Sequence, residues 1–124
     1  MPVIVGVALG GALGASARWL LDRFVEQHTE SVFPWSTFAI NVTGCFVIGV
    51  VVEALVDRHH LPAWIRIGAV VGVLGGYTTF STFAQETFSL LESNDVAIAL
   101  VYGAGSVVTG VLGVWAGTFL GRAL

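Results

Sequence analysis

A chain of 124 residues that is 56% hydrophobic and only 10% charged is not an ordinary soluble domain, in which about a quarter of residues carry charge. A net charge of −3 offers nothing to nucleic acid, whose phosphates need a basic face. A single cysteine, Cys45, excludes a disulfide framework or a thiolate metal centre within one chain and reads as a small packing residue.

Asp, Glu, Lys, Arg and His are absent between Met1 and Ala17, Ser31 and Val52, Ile67 and Gln85, and Val96 and Gly121. Each gap approaches or exceeds the ~17–25 residues of a bilayer-crossing helix. The sequence therefore predicts an all-α integral membrane protein, one domain over 1–124, with helices at about 3–21, 35–55, 64–88 and 96–121. In the first segment Ala15-Ser16-Ala17 imitates a signal-peptide cleavage site. No Lys or Arg precedes the apolar run, so a retained helix is expected. Arg18 near its end reads as a side chain that snorkels to the interface. Asp22 to Pro34, with Arg23, Glu26, His28 and Glu30, reads as an aqueous loop.

Helix 2 carries Asn41 at mid-depth, where an amide serves either as interhelical glue or as a donor to a permeating ion. A short polar connection, Asp57 to Pro62, follows; its His59 and His60 read as solvated. Helix 3 holds the most informative stretch, Gly75-Gly76-Tyr77-Thr78-Thr79-Phe80-Ser81-Thr82-Phe83. Paired glycines followed by β-branched threonines are poor helix material, so a mid-membrane break is expected. Backbone freed at that depth must be buried in protein or line a polar cavity. Phe80 and Phe83 share a helix face, which Glu86 continues. Packing is the ordinary role for such rings, but their positive edges also suit an anion path. In helix 4, Ser106 and Thr109 extend a possible hydroxyl lining with Ser81 and Thr82, although isolated hydroxyls more often bond their own helix. Glycines recur every four residues at 6, 10 and 14, at 68, 72 and 76, and at 113, 117 and 121, a spacing that lets helices approach closely. Trp19, Trp35 and Trp64 fall near helix ends, where the membrane–water interface favours them.

Three stretches together resemble the Fluc/CrcB fluoride channel family over essentially the whole chain. Gly10-Gly11-Ala12-Leu13-Gly14-Ala15-Ser16-Ala17-Arg18 is similar to its first-helix motif, and Thr37 to Gly49, around Asn41, to its second. Gly75 to Phe83 matches its most specific signature. The resemblance implies a fluoride-exporting channel in the cell membrane, built as an antiparallel dual-topology homodimer with two pores at the subunit interface. It implies that Phe80 and Phe83 line the pore, that Asn41 faces the ion, and that Ser81, Thr82 and Tyr102 continue the polar path toward Glu86, with Thr109 beside it. It further implies a structural sodium ion held by main-chain carbonyls of Gly75 and Thr78 from both subunits, and it makes Arg18 the counterpart of the family's first-helix arginine.

Two departures stand out. Ser36-Thr37 occupies a place where family members often have Gly-Thr, and Gly110 one where a pore-facing hydroxyl is common. The second departure leaves room for a paralogous partner chain in place of a homodimer. All five basic residues are arginines, Arg58, Arg66 and Arg122 against Arg18 and Arg23, a bias too even to fix one orientation by the positive-inside rule. The competing reading is a small multidrug-type, dual-topology, proton-coupled transporter. It requires a membrane-buried carboxylate, for which only Glu53 and Glu86 are candidates, both near helix ends. No catalytic constellation is visible, and an enzyme is not expected.

Overall fold

A computed structural model describes residues 1–57 and 60–124; Arg58 and His59 of the expected connection lie outside the described residues. Every regular element described is helical. Helix α1 (Val3–His28) continues past Leu21, through what the sequence suggests is a loop. Asp22, Arg23 and Glu26 end the apolar run without ending the helix, because neither glycine nor proline follows until Pro34. Its last turn is closed by the His28 ring, whose Nδ1 lies 2.7 Å from the Phe24 carbonyl.

Helix α2 (Trp35–Val51) starts directly after Pro34 and runs on as a π-helical stretch, Val52–Asp57. Helix α3 begins at Ala63–Ile67, widens into π-helical turns over Gly68–Leu74, and closes as an α turn at Gly75–Tyr77. Helix α4 (Phe80–Glu92) completes the third span, and α5 (Val96–Ala123) is the fourth.

The expected break is present, and within the run it falls on the threonines. Gly75 and Gly76 remain helical, and the chain extends at Thr78 (φ −78°, ψ 160°) and Thr79 (φ −150°, ψ 118°). Threonine hydroxyls compete for local backbone groups. Thr78 Oγ1 donates back to the Leu74 carbonyl at 3.0 Å, while Thr79 Oγ1 accepts the Thr82 N–H at 3.3 Å and so caps α4.

Helices pair in parallel, α1 with α3 and α2 with α5. Along α1, Gly6 meets Trp64, Gly10 meets Gly68 and Gly14 meets Val73, so contacts advance in the same direction on both helices. A Cβ at Gly14 would stand 2.0 Å from the Val73 carbonyl oxygen, and one at Gly117 2.0 Å from that of Phe46. Backbone therefore touches backbone in both pairs, and the glycine series found in the sequence are consumed inside one chain. In lipid, such contact replaces the hydrophobic effect as the force joining helices. Tyr77 adds a polar tie, its hydroxyl 2.8 Å from Thr43 Oγ1 on α2. The buried apolar core is correspondingly small among the described residues: Ile40, Ala54 and Leu74, and a cluster of Leu90, Ala99 and Tyr102 flanked by Phe33, Phe38, Phe83 and Ile98. Large apolar side chains such as Leu13, Val111, Trp115 and Phe119 point outward, as expected where the solvent is lipid.

Candidate functional site

The break is held from across the bundle by Asn41. Its Nδ2 donates to the Thr79 carbonyl at 2.9 Å, and its Oδ1 accepts the Thr79 N–H at 2.9 Å. Both main-chain groups of one extended residue are thereby satisfied by one amide. An amide nitrogen carries two hydrogens, so one N–H of Asn41 is not used in this pairing.

Capturing the Thr79 N–H has a consequence one turn back. In an α-helix that group would bond the carbonyl of Gly75; here the carbonyl loses its helical donor. The Thr78 carbonyl loses its own in the same way, since the Thr82 N–H turns to Thr79 Oγ1. Gly75 and Thr78 line an open groove of about 340 Å³, together with Asn41, Gly44, Cys45, Ile48 and Phe80. Among the described residues no cluster of three His, Cys, Asp or Glu side chains is placed to hold a metal ion. The two carbonyls at the break are the type of oxygen donor that a hard cation takes.

Phe80 and Phe83 lie side by side on α4, ring centroids 5.8 Å apart. Their surroundings differ. Phe80 is 80% exposed at the groove's edge, whereas Phe83 packs edge-on against Tyr102 at 5.1 Å. Tyr102 is wholly buried and donates to Glu86 Oε2 at 2.6 Å. Thr37, also buried, donates to Glu86 Oε1 at 2.8 Å. Each carboxylate oxygen thus has a hydroxyl donor, which is how a carboxylate is tolerated near the end of a membrane helix.

On the other side of the break, a cavity of about 430 Å³ gathers Arg18, Asp22, Thr37, Thr79, Ser81 and Thr82. Ser81 and Thr82 are exposed there, and the Thr79 hydroxyl donates to Thr82 Oγ1 at 3.0 Å. Thr109 is not joined to this group, because its hydroxyl donates to the Gly105 carbonyl of its own helix at 2.6 Å. The Ser106 hydroxyl is enclosed without a hydrogen-bond partner. Gly110 is buried against Cys45, whose sulfur would lie 3.3 Å from a Cβ at that position.

The model for the CrcB-like protein family, described as Camphor Resistance (CrcB), matches residues 5–118. Proteins named "Fluoride-specific ion channel FluC" are similar throughout. That of Acidobacterium capsulatum is 44% identical over 118 residues, covering 94% of this chain and 93% of its own. Those of Citrifermentans bemidjiense and Geobacter sulfurreducens are 43% and 41% identical over 124 residues, covering 100% of both chains. The chain belongs to the CrcB family. With four apolar spans and relatives named as channels, it is a multi-pass protein of the cell membrane and not an enzyme.

Within this CrcB-family chain, the sequence pointed to Asn41, Phe80, Phe83 and the break without revealing the pivot that joins them. Thr79 is that pivot. Its signal was the cap pattern Thr79-Phe80-Ser81-Thr82 at the start of a helix. Thr37 was equally silent, since nothing in the sequence pairs it with Glu86, 49 positions away. The bond from Ser36 Oγ to Asp22 has no signal in the sequence either.

Proposed function

We propose that this chain is the subunit of a fluoride-selective channel that lets cytoplasmic fluoride leave passively. Two pores would lie at the interface of an antiparallel, dual-topology homodimer. Fluoride as the ion comes from the names of the relatives. The observation that carries the mechanism is the Thr78–Thr79 interruption clamped by Asn41. In this reading the hydroxyls of Ser81 and Thr82, the second N–H of Asn41 and the rings of Phe80 and Phe83, all close to the break in sequence or contact, make up the ion path.

Fluoride is small and strongly hydrated, so a narrow path must replace its water with donors. In this reading the Arg18 cavity receives the ion, Ser81 and Thr82 supply hydroxyls, and the second N–H of Asn41 takes it over. The ring edges of Phe80 and Phe83, the positive part of the aromatic quadrupole, then carry it toward Tyr102 and Glu86. The two hydroxyls on Glu86 offset its charge where the anion passes. Thr109 and Ser106 lie beside this route as supplementary hydroxyls.

A second copy is supported by what one chain leaves open. The Gly75 and Thr78 carbonyls, deprived of their helical donors, lie at membrane depth beside an uncovered groove, and Ser81 and Thr82 are exposed in the cavity across the break. Lipid satisfies none of them. A facing copy covers the groove and doubles the carbonyls to four, a ligand set for a structural sodium ion. Such a buried cation supplies positive field to an anion path in a protein of net charge −3. The near-even arginines suit insertion in both orientations. The transporter alternative draws no support: Glu86 is occupied by two hydroxyls, and Glu53 lies 3.4 Å from Arg122.

The deciding measurement is efflux of fluoride and of chloride from liposomes that contain this chain alone. Rapid fluoride efflux with chloride retained supports the homodimeric channel. Efflux that appears only when a paralogous chain is added replaces the homodimer with a heterodimer, and none in either case removes the reading.

A further inference from the structure

Arg18 and Asp22 stand four residues apart on α1, one helical turn, a spacing at which arginine and aspartate side chains reach each other. They share the 430 Å³ cavity beside the break, yet among the described residues no ion pair joins them. The Asp22 carboxylate instead accepts a hydrogen bond from Ser36 Oγ at the start of α2. Ser36 does not line the Arg18 cavity. It lines a separate cavity of about 160 Å³ on the far side of Asp22, with Glu26 and Glu86. Asp22 therefore lines both cavities, and its carboxylate is bonded to Ser36 and not paired with Arg18 a turn below. Electrostatics alone favours the opposite choice. Arg23, the neighbouring cation, does not pair with Asp22 either; its guanidinium lies 5.6 Å from the centroid of the Trp19 ring.

We propose that Ser36 is a positioning residue that keeps Asp22 off Arg18, so that the guanidinium remains an unpaired cation for anions entering the cavity. This rests on the channel reading above. Its logic is one of separation within a partly enclosed space: a carboxylate in contact with the guanidinium cancels most of the attraction that concentrates an anion, and one held off by Ser36 cancels less. Ser36 touches neither the ion nor Arg18; it acts through Asp22.

The test compares the parent chain with Ser36→Ala, Asp22→Asn and the double variant. Fluoride efflux from liposomes is measured over a range of fluoride concentrations. Ser36→Ala frees Asp22 to pair with Arg18, and the half-saturating fluoride concentration rises by about three- to tenfold, the scale of one nearby charge under screening. The maximal rate stays near that of the parent. Asp22→Asn leaves half-saturation at or below the parent value, and the double variant returns to that value because no carboxylate remains to pair. A merely structural Ser36 would lower the maximal rate and would not be rescued by Asp22→Asn. That pattern overturns the proposal, as does an unchanged Ser36→Ala curve. A parent chain without fluoride efflux removes the channel reading, and this inference falls with it.

Discussion

Asn41 meets both main-chain groups of Thr79 with one amide, and few single substitutions in this chain should matter more. Asn41→Ala leaves the buried Thr79 N–H without a partner, at a cost of about 1–3 kcal/mol, while the Thr79 carbonyl keeps its bond within α4. The expected result is a lower melting temperature in detergent together with loss of fluoride efflux. Full stability with lost efflux would instead assign the amide to the ion alone. Phe80 offers the contrast, because its ring is 80% exposed and holds little of the fold. Phe80→Ser should melt like the parent while fluoride efflux falls by about tenfold or more, the loss expected when a stabilising interaction worth at least ~1.4 kcal/mol disappears. Parent-like efflux would take this ring out of the path.

At the scale of elements, two kinds of glycine look alike in the sequence and differ in the fold. Gly14 faces the Val73 carbonyl so closely that a Cβ would lie 2.0 Å away, while a Cβ at Gly11 meets nothing within 4 Å. Gly14→Val should separate α1 from α3 at a cost above the about 1–3 kcal/mol of ordinary overpacking. Broadened size-exclusion profiles and a lower melting point would record it, whereas Gly11→Ala should behave as the parent. Equal behaviour of the two variants would mean that the α1–α3 contact yields easily. The break teaches a related lesson. Composition located it within a run of glycines and threonines; the glycines stay helical, and the interruption falls on the threonines, which bond locally. Helix α1 outran its expected end for the converse reason: charge ends a membrane span without ending a helix.

For the molecule as a whole, the groove at Gly75 and Thr78 makes one chain incomplete in this reading. Protein purified and assayed with sodium replaced by a large organic cation should show efflux slowed several-fold, restored on returning sodium. Full-rate efflux without sodium would remove the proposed cation site, leaving the clamp at Thr79 untouched.

The sequence alone determined the class of this protein: uncharged gaps of bilayer length dictate four spans, glycine spacing dictates close helix contact, and the run from Gly75 to Phe83 marks the unusual third span. These are local properties, set by hydropathy and propensity along a few turns. Only the tertiary structure decided which groups meet. Asn41 with Thr79, Thr37 and Tyr102 with Glu86, and Ser36 with Asp22 are separated by 38, 49, 16 and 14 positions. A polar side chain in a membrane must find a partner, but its own neighbourhood in the chain does not say which one. That choice is fixed by the parallel pairing of helices and by the angle at which the broken one resumes.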